Sequence, residues 1–133
     1  MSDKITKEVA QSEFDQWFEA RKLPKTRREG DAEAMANEFV CAIEEGYIEI
    51  NEDLSIDLAL REPLTEKINL SMLHFASRIT AGVLQRCMSG IKSDDSQGRQ
   101  IATIAALTGE VAGNIRALGT IDYSIAAVIT GFH

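Results

Sequence analysis

The chain has 133 residues, 44% of them hydrophobic and 26% charged, with a formal net charge of −7. That length suits one domain, residues 1–133, with enough apolar surface to bury that neither a metal nor a disulfide framework is required, and the composition excludes wholesale disorder. No apolar run approaches the roughly 20 residues of a membrane span, and the polar start of the chain predicts no secretory leader and a cytoplasmic location.

Charge is unevenly spread. Residues 1–30 are net +1, residues 31–66 net −10 and residues 67–133 net +2. An acidic middle third repels a phosphate backbone, which argues against nucleic acid as a partner and favours solubility.

Residues 1–11 read as a loose lead-in. Ser12, with Asp15 three positions on, predicts a helix start, and the helix runs to about Leu23 before Pro24. Phe14, Trp17 and Phe18 form an aromatic stripe on it, with core packing or a partner face as the alternatives. Arg21, Lys22, Lys25, Arg27 and Arg28 make a basic arm that ends at Gly30. Asp31 is the expected cap of a second helix, residues 32–45, with Met35, Phe39 and Ile43 on one face and Ala36 and Val40 beside them. Gly46 suits the position just past a helix end.

Two runs with strand alternation follow. Ile48 and Ile50 make the first; Leu54, Ile56, Leu58 and Leu60 make the second, with Asn51-Glu52-Asp53 as the turn between them. This hairpin is too short to stand alone and is expected to pack on helices. Pro63 should end the second strand. A long third helix is expected over residues 66–90, with Met72, Ala76, Ile79, Val83 and Met88 near one face. The polar stretch 92–98 reads as a mobile loop. Beyond it, Ile101–Leu107, Glu110–Leu118 and a last segment after Asp122 form short helices punctuated by Gly109 and Gly119. The fold class is α+β, predominantly helical: two N-terminal helices, a β-hairpin, one long helix and a set of short C-terminal helices.

Cys41 and Cys87 sit on apolar helix faces and are expected to be buried, reduced thiols. His74 has no second ligand at metal spacing, and His133, at the chain end, reads either as frayed or as a residue foreign to the natural chain. Asn51, Asp53, Ser55 and Glu62 fall at positions 1, 3, 5 and 12 of a calcium-loop spacing, but Ile56 stands where the sharp turn needs Gly. No nucleophile-elbow, phosphate-loop or dinucleotide motif is present. No catalytic, cofactor or metal residue is therefore assigned, and a non-enzymatic protein is expected.

From the hairpin onward the chain resembles the tail assembly chaperones of long-tailed bacteriophages. A strand runs into Leu60-Arg61-Glu62-Pro63, similar to that family's Leu-Arg-x-Pro segment. Ile104-Ala105-Ala106-Leu107-Thr108-Gly109 is similar to its short helix ending in Leu-Thr-Gly. Leu118, Asp122-Tyr123 and Ile129-Thr130-Gly131-Phe132 are similar to its final turn. The resemblance spans residues 48–132 and leaves residues 1–45 outside it. It implies a non-enzymatic factor of the host cytoplasm that binds the tape-measure protein and the tail-tube protein, self-associates as a homo-oligomer, and is absent from the finished virion. In many phages a frameshift appends a further domain.

The expected partner-binding residues are Ile48, Ile50, Leu58 and Leu60 at the hairpin, whose free edge could accept a neighbour's strand, and Leu107 and Phe132 in the small-residue C-terminal third. Arg27 and Arg28 are added because the basic arm could pair with the acidic middle of another copy. The alternative function is a small acidic helical adaptor or inhibitor from a bacterial or prophage operon.

Overall fold

The computed structural model describes residues 5–133. It has an α+β architecture dominated by helices, with one three-stranded antiparallel sheet. In chain order the elements are α1 (Lys7–Ala20), a 3₁₀ turn (Lys25–Arg27), α2 (Ala32–Glu44), β1 (Ile48–Ile50), β2 (Ile56–Leu64), β3 (Leu70–Phe75), α3 (Ala81–Cys87), α4 (Ser96–Thr108), α5 (Ala112–Arg116) and α6 (Thr120–Thr130). Of the expected lead-in, residues 1–4 lie outside the described part.

Helix α1 starts earlier than Ser12 because Thr6 caps it: the Thr6 hydroxyl accepts from Val9 N–H, and Ser12 lies inside the helix. It ends on Lys22, held at φ 58 while Leu23 N–H reaches back to Phe18 C=O, a Schellman closure made without glycine. Helix α2 closes the same way on Gly46, at φ 84, with Tyr47 N–H bonded to Ala42 C=O. Asp31 makes no side-chain cap. Phe14, Trp17 and Phe18 pack with Phe39 of α2 and with Phe132 just beyond α6. The Trp17 and Phe39 rings stack 5.1 Å apart, and Phe132 stands edge-on to Phe39 at 5.6 Å. Such pairs add roughly 0.5–1.5 kcal/mol each beyond their buried area.

The sheet order is β1-β2-β3, so β2 is central and the expected hairpin is only two-thirds of the sheet. Ile48, Ile56, Leu58, Leu60, Leu73 and Phe75 face the core. Glu49, Asp57 and His74 stand side by side on the other face, in register across the three strands. Leu54 is not a strand residue. It sits in the turn at φ 72 with its side chain half-buried, and its carbonyl accepts the Trp17 indole N–H at 2.9 Å.

The expected long helix 66–90 is absent. Its first part is β3, because the exposed edge of β2 offers a ladder that an isolated helix cannot match, and Leu73 and Phe75 alternate into the core at a spacing of two. Its last part is the seven-residue α3, capped by Thr80 and with no buried residue. Nor does Pro63 end β2. The strand runs on to Leu64 through an irregular register between Ala59 and Leu64, where a missing donor breaks no ladder bond. Within the expected loop 92–98, Asp95 accepts from Gly98 N–H and starts α4, so Ser96–Gly98 is its first turn. Gly109, at φ 73, stops α4 as expected.

Helix α6 packs on α2, α4 and β2 and closes the core. No helix among the described residues is long and apolar enough to cross a membrane.

Candidate partner-binding surface

The expected contact residues divide sharply. Ile48, Leu58, Leu60, Leu107 and Phe132 are buried in the single apolar core, and Ile50 is half-buried against it. The alternation that singled out the hairpin positions marks an inward face, and here that face already has its helices. These five core residues therefore present no surface to a partner in this fold.

The three arginines of the basic arm have partners within the chain as well. Arg27 donates to Gly131 C=O at 3.0 Å, and Arg21 donates to Phe132 C=O. Both answer carbonyls left without helical partners at the end of α6. Arg28 lies 5.0 Å over the Phe14 ring and 4.9 Å over Phe18, and it pairs with Asp15. Burial alone would raise the Asp15 carboxyl, but hydrogen bonds from Arg28 and Gln11 and the Arg28 charge outweigh it and hold the group below its ordinary value. The arginines of the arm thus work within the molecule, joining α1 to the end of α6, while Lys22 and Lys25 are exposed.

His133 is not frayed. Its ring nitrogens face Ile129 C=O at 3.0 Å and Ala76 C=O at 2.9 Å, which ties the end of α6 to the end of β3. Burial, joined by the Arg21 charge, pushes its pKa down, against the pull of the two carbonyls. His74 lies on β3 and meets Asp57 at 2.6 Å. Cys41 is exposed and Cys87 half-exposed, both free, contrary to the expected burial. A hydrogen bond to the Glu45 carboxylate, helped by partial burial, raises the Cys41 thiol. The site is electronegative, the opposite of what activates a nucleophilic thiol. In the calcium-like stretch, one Asp53 carboxylate oxygen accepts from both the Ser55 amide and its hydroxyl. No metal-binding cluster of His, Cys, Asp or Glu occurs among the described residues.

What remains open lies elsewhere. A groove of about 750 Å³ runs between the end of β2 (Glu62, Pro63, Leu64) with the β2–β3 connection (Glu66, Lys67, Ile68) and α5 (Gly113, Asn114) with Ala117 just after it. Its α5 wall is low because Gly113 and Ala117 are small and four residues apart on one helix face. A side chain added at Gly113 would meet no neighbour. One end of the groove is fixed by Asp122, which is wholly buried at the start of α6. Its two oxygens accept from the backbone N–H groups of Arg61 and Glu62, each at 2.9 Å. That clamp holds the irregular part of β2 where β3 does not pair with it. Among the described residues the exposed large apolar side chains are Val9, Ile68 (37%), Met72 (45%), Val111 (66%) and Ile121 (55%), and all but Val9 belong to β3, α5, α6 or their connections. The sequence signals missed here were Gly113 and Ala117 at helix spacing, and a buried Asp in the first turn of a helix.

No family model, no curated protein and no solved structure matches the chain.

Proposed function

We propose that the chain is a non-enzymatic phage tail assembly chaperone that covers apolar segments of the tape-measure protein, and contacts the tail-tube protein, while a tail is built. The observation that carries this reading is the groove between the end of β2 with the β2–β3 connection and α5, with exposed Ile68 in its lining and exposed Val111 just before α5. A groove with a low small-residue wall at Gly113 and Ala117, an apolar strip of Pro63, Leu64 and Ile68, and Glu62, Glu66 and Lys67 beside it accepts the ridge of an amphipathic partner helix, and the net charge of −7 keeps the protein soluble while that surface is uncovered. The groove falls within residues 48–132, the span that carries the family resemblance. The short α3 in place of a long helix is a departure from that resemblance, and the groove does not include it.

The test is co-expression of the tagged chain with its neighbouring genes, followed by capture and mass spectrometry at low and high salt. Recovery of a long helical chain at both salt levels, abolished by Gly113→Trp, is the expected result. Recovery of nothing, or of the same chain by the Gly113→Trp variant, overturns it.

One observation favours the adaptor reading. Glu33, Glu38, Glu49, Glu52 and Asp53 are all exposed and lie on α2, β1 and the turn after it. A basic partner captured at low salt and released at high salt would put that reading first.

A further inference from the structure

Strand β3 has an outer edge that the fold completes at one end only. The Ala59 N–H bonds to Tyr47 C=O at 2.8 Å, so the Ala59 backbone groups point toward β1. In an antiparallel ladder direction alternates along a strand, so Ile56 and Leu58 point toward β3. Their register partners, Phe75 and Leu73, point back toward β2. Met72 and His74 therefore aim their N–H and C=O groups away from the sheet. Ala76, next in the same phase, confirms the alternation: its N–H donates to Leu107 C=O at 2.9 Å and its C=O accepts from His133. Among the described residues no backbone hydrogen bond reaches the outer groups of Met72 and His74.

This edge lacks the usual protections. Natural edge strands carry Lys, Pro or inward charges that repel a second strand. Ile68–Ser77 holds no Asp, Glu, Lys, Arg, Pro or Gly in a chain that is 26% charged. Met72 is 45% exposed beside it. Two copies that each carry −7 repel through most approaches, and this uncharged strip is a place where they can meet.

We propose that β3 is a self-pairing edge, through which two copies of this chain join antiparallel to make one continuous six-stranded sheet. The open edge fits a second copy in both length and phase. A two-fold axis through Leu73 sets Met72 of each copy opposite His74 of the other. These are the outward-pointing residues, and each opposed pair exchanges two hydrogen bonds. The outward groups of Met72 and His74 in both copies are then used. Beyond Ala76 the edge is already closed by α4 and His133, which leaves little room for a longer foreign strand. The same register brings the Met72 side chain against the other copy's His74 on the outer face. The pairing goes beyond the chaperone reading and stands or falls without it. Its short contact falls below a standard stable interface, so the association depends on concentration.

The test is the mass of the full chain by light scattering from micromolar to millimolar concentration, with amide exchange read residue by residue. The expected result is a rise from 14.6 kDa toward twice that value. The Met72 and His74 amides gain protection as the mass rises, while Leu73 and Phe75 stay protected throughout. Met72→Pro removes an outward N–H without touching the β2 ladder, and should hold the mass at 14.6 kDa with an unchanged circular dichroism spectrum. A chain that stays at 14.6 kDa at every concentration overturns the proposal. So does a doubled mass with the Met72 and His74 amides still freely exchanging, or a folded Met72→Pro variant that still doubles. The exchange readout needs no substitution, so it decides the matter even if Met72→Pro unfolds.

Discussion

Asp122 and His133 are small side chains placed where the chain has no other way to satisfy its backbone. Asp122 answers two amides in the stretch of β2 that β3 leaves unpaired. Asp122→Ala strands both donors in the interior, so equilibrium unfolding in urea should show a loss of about 3 kcal/mol, and Asp122→Asn, which keeps an acceptor, a smaller one. His133 lies below its ordinary value of 6.5 in the folded chain. Between the folded value and 6.5 the unfolded chain holds a proton that the folded chain does not, so stability declines as pH falls below 6.5 and levels off beneath the folded value. His133→Gln should remove that part of the slope, which a series of melting temperatures against pH would register as a flatter acid limb. Neither role was legible in the sequence. The carboxylate's partners are about sixty residues away, and the histidine's second carbonyl belongs to Ala76, so spacing carried no signal.

At the scale of elements, the aromatic cluster is where sequence and structure agree most closely. The Phe14, Trp17 and Phe18 spacing marks an inward helix face, and α2 was readable from the same kind of stripe ended by Gly46. Phe132→Ala empties a site walled by four aromatic rings and should cost about 3–5 kcal/mol in the same urea titration. Residues 66–90 show the limit of periodicity. Leu70, Met72, Leu73 and Phe75 satisfy a helical stripe nearly as well as a strand, and the choice was made by an open ladder on β2 that no local window contains. Helix α3 follows from that choice. It is short and has no buried residue, so its amides should be the fastest-exchanging among the helices, and limited proteolysis should cut first between β3 and α4.

Taken as a whole, the molecule turns three arginines of its basic arm inward on its own chain, while the acids of its middle third are mostly exposed. Arg21, Arg27 and Arg28 are committed to the ends of α1 and α6, while most acids of residues 31–66 face outward, so the excess of negative charge in the sequence is carried on the surface. With a sequence pI near 4.8, solubility should reach its minimum close to that pH while near-ultraviolet dichroism still reports native packing. The same distinction explains the candidate surface. Apolar alternation identifies side chains that avoid water and is silent on whether they avoid it against their own chain or another's, which is why Ile48, Leu58 and Leu60 proved to be core. The groove beside α5 is defined by what is missing at Gly113 and Ala117, and small residues leave little trace in a hydrophobic pattern.

The seating of Phe132 against Phe14, Trp17 and Phe39 has a consequence for synthesis. A ribosome delivers α1 and α2 first, with their aromatic faces bare, and 93 residues must follow Phe39 before the ring that lids them exists. At about 5–20 residues per second, that is roughly 5–20 seconds in which the nascent chain carries an uncapped, adhesive surface. Until the lid arrives, this protein is itself a client of whatever shields such surfaces in its cell.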